Sequence, residues 1–313
     1  NREACNDCHR GIDPWGIPFE NFDAVGKFRN DALRVTPQKR KKIRVNVSSN
    51  SVLPNGKSIE NINDLKAEIQ DINHITSEEI SNIKGKIKKF NFCIYKSSVG
   101  LHNQADLVNF ARSIGMKTYD TNNIHNSPVS LIMSLDSRNT VNYIPYTNKQ
   151  LNWHTDGYYD EKPIFSWLLH CEEPAYSGGE NYLLDHELAI REYIFKYDNL
   201  DSLSRSDALV IPGNVEANRD ETKGYICDSD NTYKRFHMKF SMREKNMKLN
   251  EQSKTAFMRM KKIIKEDCKK YSLTYKLSKN EGIVSNNILH GRNSFEDGKI
   301  MRKLYRIRSY ERI

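Results

Sequence analysis

Apolar side chains recur at helical spacing after a short polar segment in the first third of the chain. Thr76 and Glu79 have the spacing of a capping box, in which each side chain hydrogen-bonds the backbone of the other residue. Ile80, Ile83 and Ile87 then fall on one face of a helix. The pattern therefore predicts an amphipathic helix that begins just after Thr76.

Three later stretches have the same period, and two of them adjoin a residue that favours a helix end. They predict helices over residues 105–114 ahead of Gly115, through Leu188, Ile190 and Tyr193 after Asp185, and over Thr255–Tyr271.

Short apolar runs and alternating stretches predict strands, most of them in the second half of the chain. These strands are Phe92–Tyr95, Val129–Leu135, Leu151–His154, Phe165–Cys171, Tyr182–Leu184, Tyr271–Leu277, Ile283–Leu289 and Ile300–Ser309. The glycine pair Gly178 and Gly179 predicts a turn between two of them. Residues 198–250 are polar and show no clear period, so we predict an irregular insertion or lid-like region there.

The composition is typical of a soluble globular protein. The chain has 313 residues, of which 37% are apolar and 28% charged, and no apolar run reaches the length of a membrane span. The net charge of +9 is compatible with anionic partners, but the basic residues are scattered, and residues 39–42 form the one tight cluster. We therefore predict neither a nucleic-acid partner nor a membrane partner.

Residues 1–72 differ in character from the rest and begin with a CxxCH motif. Among the six cysteines, Cys5 and Cys8 are close in sequence, and His9 follows them. This is the attachment signature of a c-type haem, in which two thioethers hold the haem and the histidine binds its iron. Few large apolar side chains and no nearby methionine ligand argue against a haem pocket. Haem c at these three residues is therefore the alternative to an appendage without haem.

The segments that follow this motif resemble modules of large bacterial cytochrome c proteins. Residues 12–29 are similar to a module of unknown function near the C-terminal end of those proteins, and residues 52–66 resemble the small module that follows it. We predict that residues 1–72 form a small N-terminal appendage with a linker and that residues 73–313 form a second domain. The chain begins at Asn1, so we expect the natural N-terminus to lie further upstream.

A histidine and an aspartate two residues apart give the main chemical signal. At the end of an extended strand, His154 and Asp156 point to one face and can bind adjacent positions of a metal ion. A distant histidine would complete a facial triad of two histidines and one carboxylate, which favours Fe(II) and leaves other positions open. His290 is the best-placed candidate for this third ligand.

The motifs around these residues resemble one enzyme family in order and spacing. The chain reads HTDG at 154–157, LHC at 169–171, SGGE at 177–180 and LHGR at 289–292. This pattern is similar to the Fe(II)/2-oxoglutarate-dependent dioxygenases of the TauD/TfdA type, with the gamma-butyrobetaine and trimethyllysine hydroxylases as the closest branch. The resemblance implies a mainly β fold with flanking helices, built around a double-stranded β-helix, a jelly-roll-like barrel.

The same resemblance implies a role for each matching residue. His154, Asp156 and His290 would be the catalytic ligands of Fe(II), and Arg302 would clamp the far carboxylate of 2-oxoglutarate with its planar guanidinium. Asn181 stands where the family often has a threonine that helps to hold the co-substrate. Its amide can still donate a hydrogen bond, so we expect it to take that role.

Two residues are candidates for binding the substrate. Arg306 matches a position that binds the substrate anion in sulfonate-hydroxylating members, although a salt bridge within the barrel explains it equally well. Tyr146 matches a tyrosine of the trimethylammonium cage in the gamma-butyrobetaine enzymes, but Val129 and Met133 occupy the positions of other cage residues. The sequence therefore does not favour a quaternary ammonium substrate. Because Asp156 keeps the carboxylate that halogenating relatives lack, we expect hydroxylation.

We predict an enzyme that uses Fe(II), 2-oxoglutarate and O2 to hydroxylate an unactivated C–H of a small organic substrate, with release of succinate and CO2. The alternatives are a haem c electron-transfer protein using Cys5, Cys8 and His9, and a metal-binding barrel without catalysis. The two predicted parts of the chain, residues 1–72 and 73–313, indicate different compartments. Haem c is attached outside the cytoplasm, whereas Fe(II) and 2-oxoglutarate are supplied inside it. We predict a cytoplasmic protein, or a periplasmic one if the haem module is functional, and the sequence is compatible with a homo-oligomer.

Overall fold

The computed structural model describes residues 31–35, 42–46, 51–52, 58–59, 62–121, 126–134, 144–213, 220–230, 232, 235–243 and 247–313. Its α-helices are α1 (Ser77–Phe90), α2 (Gln104–Ser113), α3 (His186–Tyr197), α4 (Asp201–Ser204) and α5 (Glu251–Lys262), and α5 continues into a π-helical turn, Ile263–Asp267. Short 3-10 turns cover Ile62–Asp64, Ile72–His74, Ile144–Tyr146 and Lys269–Tyr271.

The strands, in chain order, are β1 (Asp31–Val35), β2 (Lys42–Asn46), β3 (Ser51–Val52), β4 (Ser58–Ile59), β5 (Lys66–Asp71), β6 (Phe92–Val99), β7 (Val129–Ile132), β8 (Leu151–His154), β9 (Ser166–Glu173), β10 (Ser177–Gly178), β11 (Asn181–Leu184), β12 (Leu209–Ile211), β13 (Thr222–Gly224), β14 (Cys227–Asp230), β15 (Arg235–Met238), β16 (Lys248–Leu249), β17 (Leu273–Tyr275), β18 (Glu281–Ser285), β19 (Leu289–Arg292), β20 (Phe295–Glu296) and β21 (Lys303–Ser309).

Two sheets form the centre of the protein. The larger has the strand order β5-β6-β18-β9-β21-β7, and the smaller has the order β17-β11-β19-β8. Apolar side chains from both sheets, among them Trp167, Leu183, Ile283 and Leu304, form one buried cluster between them. Burial of this surface from both sides is what holds the sheets face to face. The predicted double-stranded β-helix with flanking helices is therefore confirmed.

The flanking helices begin and end where their caps predict. Thr76 accepts a hydrogen bond from the backbone of Glu79, whose side chain accepts from the backbone of Thr76, so the capping box is formed. Asp185 accepts from the backbone of Glu187 at the start of α3. The apolar faces of α1 and α2 pack with the outer side of the larger sheet. These helices therefore cover the face that lies away from the smaller sheet.

The predicted irregular insertion at residues 198–250 is wrong for the part that the structure describes. Strands β12, β13 and β16 form one small sheet, and β14 pairs with β15. These strands pack with α3 and α5 in a buried cluster that includes Ile226, Phe240 and Phe257. Each strand is too short to show a clear period in the sequence. Which of its sides is buried depends on packing against other elements, which the sequence pattern does not report. The last predicted helix also begins earlier, at Glu251, where Asn250 caps it.

One predicted strand is divided in two. The apolar run Ile283–Leu289 predicts a single strand, but β18 ends at Ser285 and β19 begins at Leu289. Asn287 lies between them with a left-handed backbone, φ 50°. The break transfers the chain from the larger sheet to the smaller one, so the strand that carries His290 lies across the barrel from the strand that precedes it.

The N-terminal part is described only by two hairpins, β1 with β2 and β3 with β4. Cys5, Cys8 and His9 lie outside the described residues, so the haem alternative stays a prediction. Strand β5 pairs in parallel with β6 at the edge of the larger sheet, and the predicted boundary between residues 72 and 73 follows this strand in the sequence.

Among the described residues, no helix is long and apolar enough to cross a membrane.

Candidate active site

Two neighbouring strands of the smaller sheet bring the three predicted metal ligands together. Strands β8 and β19 are antiparallel, and His290 stands directly opposite His154 in their register. Asp156 follows β8 in the HTDG turn. One side-chain ligand atom from each of these three residues lies within 4.8 Å of the other two. Within the described part of the chain, this is the group of His, Cys, Asp and Glu residues with the spacing of a metal site.

The imidazole rings present their Nε2 atoms to the carboxylate. The Nε2 atom of His154 is 3.5 Å from Oδ1 of Asp156, and that of His290 is 3.6 Å from the same oxygen. Each Nδ1 atom lies 2.9 Å from a backbone carbonyl, that of Asn152 for His154 and that of Ile288 for His290. A carbonyl only accepts, so each Nδ1 carries the proton and each Nε2 keeps a lone pair for a metal.

Charges around the triad favour the protonation states of metal ligands. Burial alone would raise the pKa of Asp156, but the charge of the Arg306 guanidinium holds it well below its usual range. Burial and the neighbouring His154 lower the pKa of His290. At neutral pH the carboxylate is therefore ionised and the His290 ring is neutral. Two imidazole nitrogens and one carboxylate oxygen on one face form a donor set that fits Fe(II).

The turn after Asp156 depends on a glycine. Gly157 has φ +66°, and a Cβ atom there would lie 2.4 Å from Cγ1 of Ile164. Both the backbone conformation and this close contact exclude a side chain. The HTDG turn can therefore fold back over Ile164 and keep the Asp156 carboxylate at the end of β8.

A pocket between the two sheets opens beside the triad. Its walls include the apolar side chains of Trp167, Leu169, Leu183 and Leu304, and its cations are Arg292, Arg302 and Arg306. A mostly apolar pocket with a few convergent charges is the usual form of a small-molecule site.

Arg302 is a buried cation without a carboxylate partner among the described residues. Its residue exposure is 4%, and burial lowers its pKa to about 10. Arg292 is equally buried, and burial together with the charge of Arg302 lowers its pKa to about 9. Arg292 donates to the backbone carbonyls of Thr147 and Lys149, whereas the Arg302 guanidinium has the ring of Phe295 beside it, 4.9 Å away. A buried unpaired guanidinium facing a pocket favours an anionic ligand.

The predicted turn at the glycine pair helps to position the Arg302 side chain. Gly178 and Gly179 have φ +67° and +77°, and a Cβ atom on Gly178 would lie 2.3 Å from the backbone oxygen of Ser294. A Cβ atom on Gly179 would contact Phe295 at 3.3 Å and Arg302 Nε at 3.7 Å. The turn lets β10 pair with β20, which places Phe295 against the guanidinium.

The remaining predicted residues differ in their relation to the pocket. Asn181 lies on β11 and lines the pocket, and its amide is 3.5 Å from the Tyr275 carbonyl. Arg306 lines the pocket but points to Asp156. Tyr146 is buried in the cluster between the sheets, while its neighbour Pro145 forms part of the pocket wall.

Three residues near the site have no role assigned from the sequence. Trp167 packs against the ring of His290, with centroids 4.6 Å apart. Arg292 reaches the pocket from the strand that carries His290, and Asn287 contacts the backbone of Asp156. Only Arg292 had a sequence signal, because it directly follows the LHG run.

Comparisons with known proteins agree with this geometry. Residues 55–193 match the family model of the taurine catabolism dioxygenase TauD, TfdA family, and residues 1–32 match PSCyt3, a protein of unknown function. No curated protein sequence matched the chain.

Many solved structures share the fold at low sequence identity. AAD-2, solved with Mn(II) and N-oxalylglycine, is 10% identical, with a TM-score of 0.57 over 79% of this chain and 95% of its own. A taurine dioxygenase from Burkholderia xenovorans is 16% identical, with a TM-score of 0.55 over 78% of this chain and 87% of its own. The non-heme iron oxygenase OrfP, solved with Fe, succinate and (3S)-hydroxy-L-Arg, is 13% identical, with a TM-score of 0.55 over 74% and 79%. The chain is therefore similar to the TauD, TfdA family over residues 55–193 and shares the fold of these solved structures.

Proposed function

We propose that the chain is an Fe(II)- and 2-oxoglutarate-dependent oxygenase that hydroxylates an unactivated C–H of a small organic substrate and releases succinate and CO2. One observation carries this proposal. The ligand atoms of His154, Asp156 and His290 lie within 4.8 Å of one another, and the two histidines line the same pocket as Arg302, a buried cation without a carboxylate partner in the part of the chain that the structure describes. A metal triad next to an anion-binding arginine suits a co-substrate that is both a chelator and a dicarboxylate.

In this proposal the triad residues hold the metal. His154 and His290 contribute their Nε2 atoms, and Asp156 contributes Oδ1, which faces both rings. When bound, Fe(II) and 2-oxoglutarate supply the activation of O2 and the oxidation of the substrate. The protein fixes the ligand geometry through the Nδ1 hydrogen bonds and excludes water with the apolar pocket walls.

Arg302 and Asn181 are the residues that we propose for 2-oxoglutarate. A guanidinium can form two parallel hydrogen bonds to the far carboxylate, and its desolvation strengthens them. Phe295 limits the movement of the Arg302 side chain by packing at 4.9 Å. Asn181 can turn its amide donor to the co-substrate, because its bond to Tyr275 is long at 3.5 Å.

The substrate is proposed to bind on the side of the pocket where Arg306 lies. Apolar walls favour a small organic molecule. Structural neighbours such as OrfP have been solved with an amino-acid derivative, which supports a substrate of this size. The ring of Tyr146 is buried, so we propose that it affects substrate binding indirectly, by packing behind Pro145, which forms part of the pocket wall. Hydroxylation is proposed because Asp156 is present as the carboxylate ligand.

We also propose that the oxygenase domain begins at or before Leu65. Leu65 is fully buried in the cluster between the sheets, and β5 directly after it pairs with β6. The TauD family model likewise begins before this point, at residue 55. The segment ahead of it would be the N-terminal appendage.

Anaerobic absorption spectroscopy tests the proposed function. Adding Fe(II) and then 2-oxoglutarate to the full chain is expected to produce a weak visible charge-transfer band, and admitting O2 is expected to release succinate. Asp156→Ala should lose both signals, whereas His102→Ala, at an exposed histidine, should keep them. A wild-type chain that binds Fe(II) but gives neither band nor succinate would contradict the proposal. A Soret band that survives denaturation would instead support the haem c alternative.

A further inference from the structure

The turn between β18 and β19 is built around a buried asparagine. Asn287 is 2% exposed and has φ 50°, a left-handed conformation that glycine or asparagine can adopt. Glycine would satisfy the backbone equally well, so the conformation alone does not require an amide side chain. A buried amide is costly unless its polar atoms are bonded.

The amide of Asn287 joins this turn to the HTDG turn. Its Oδ1 atom accepts from the backbone nitrogen of Asp156 at 2.8 Å, and its Nδ2 atom donates to the Asp156 carbonyl at 2.9 Å. Nδ2 also donates to the Ile164 carbonyl at 2.7 Å. Because a backbone N–H only donates and a carbonyl only accepts, these partners fix the orientation of the amide. The side chain therefore holds both backbone polar groups of a proposed metal ligand.

The next residue of the same turn orients a second proposed ligand. The carbonyl of Ile288 accepts from Nδ1 of His290 at 2.9 Å, which directs Nε2 towards Asp156. A single three-residue connection thus positions Asp156 through the Asn287 side chain and His290 through a backbone carbonyl. The Ile164 carbonyl that Asn287 bonds also accepts from Nε2 of His237 at 3.1 Å, so two side chains hold it.

We propose that Asn287 is a positioning residue of the metal centre, which locks the HTDG turn to the strand that carries His290. This inference rests on the proposed function, since it assumes that the triad binds a metal. Without the amide, the Asp156 backbone loses two hydrogen bonds and the carboxylate is no longer fixed relative to the two imidazoles. The consequence is weaker metal binding, because residues that orient ligands typically contribute a factor of about 10–100 in affinity.

Titration of the full chain with Co(II), followed by its absorption bands, tests the inference without relying on catalysis. Asn287→Gly keeps the left-handed backbone and removes the amide, and we expect Co(II) affinity to fall about 10–100-fold. Asn280→Gly is the matched control, because Asn280 also has a left-handed backbone, φ 62°, but precedes β18, at the end of that strand opposite to Asn287. Its Co(II) affinity should stay within about twofold of wild type.

Each outcome has a distinct meaning. An Asn287→Gly protein that is folded by circular dichroism and binds Co(II) within about twofold of wild type overturns the inference. A wild-type chain that binds no Co(II) overturns the proposed function itself. If Asn287→Gly fails to fold, Asn287→Asp replaces it, since it keeps the acceptor for the Asp156 nitrogen and loses the two donated bonds. Wild-type affinity in that variant would also overturn the inference.

Discussion

The guanidinium of Arg306 lies against the carboxylate of Asp156, with Nη1 3.1 Å from Oδ2. The other carboxylate oxygen, Oδ1, faces His154 and His290. The same Nη1 atom also lies 3.4 Å from Oδ1, so Arg306 is nearer to Oδ2 and leaves Oδ1 as the oxygen that faces the proposed metal. Of the two readings that the sequence leaves open for Arg306, a salt bridge within the barrel is the one that this contact supports.

Arg306→Gln is expected to raise the pH at which the chain binds metal. Arg306 helps to hold the pKa of Asp156 well below its usual range, and metal binding needs the ionised carboxylate. Removing the guanidinium raises that pKa, so protons compete with the metal up to a higher pH. Co(II) titrations over a series of pH values measure the midpoint. An unchanged midpoint with weaker substrate binding would show that Arg306 serves only the substrate.

Arg302→Lys is expected to raise the KM for 2-oxoglutarate by about tenfold or more with little change in metal affinity. Lysine keeps the charge but cannot make two parallel bonds to a carboxylate, and a charged hydrogen bond contributes about 1.5–3 kcal/mol. Succinate release at varied 2-oxoglutarate concentrations gives the KM. Lys299→Gln removes an exposed cation on the preceding loop and should leave it unchanged. Equal KM values for Arg302→Lys and wild type would exclude Arg302 as the co-substrate clamp.

Gly291→Ala and Gly85→Ala should have opposite effects on stability. A Cβ atom on Gly291 would lie 2.1 Å from the Tyr182 ring and 2.5 Å from the Leu151 carbonyl, so the strands must separate, at a cost of about 3 kcal/mol or more. Gly85 is exposed within α1 with nothing within 4 Å of such an atom. Alanine there should stabilise the protein by up to about 1 kcal/mol.

Urea unfolding followed by circular dichroism measures both changes. A Gly291→Ala protein as stable as wild type would show that β8 and β19 are further apart than the structure places them. Because His154 and His290 lie on these two strands, the same variant should also lose Co(II) affinity. Gly85→Ala should keep wild-type Co(II) affinity, which separates a local effect on the site from a general effect on stability.

Glu311 should make stability fall in acid. It accepts hydrogen bonds from the backbone of Lys117 and Thr118 and from the Ser309 hydroxyl. Burial alone would raise its pKa, but these bonds lower it to about 2, from an ordinary 4.5. A lowered folded pKa contributes stability that is present above the unfolded value and is lost as pH falls through the folded one.

Glu311→Gln is therefore expected to lower Tm at neutral pH, with the difference from wild type shrinking between about pH 4.5 and pH 2. Thermal unfolding at several pH values measures this difference. Glu266→Gln is the control, because Glu266 is exposed on the π-helical turn and pairs only loosely with Lys262 at 3.9 Å. A difference that stays constant over the acid range would contradict the role of the Glu311 charge.

Local patterns determined the elements that depend on neighbours in sequence. The capping box at Thr76, the cap at Asp185 and the helical periods after them fix where α1 and α3 begin, because these interactions span only a few residues. The HTDG run likewise identified His154 and Asp156 as one unit, since alternation along a strand places them on the same side. The resemblance to the TauD/TfdA dioxygenases supplied His290 and Arg302.

Only the tertiary structure decided how these units meet. The break at Asn287, which the apolar run conceals, moves His290 into the smaller sheet opposite His154. The partner of that asparagine, Asp156, is far away in sequence, as is the partner of Arg306. The insertion strands also depend on packing between distant segments. Short-range periodicity reports which side of an element is buried, but it does not report which distant residue covers that side.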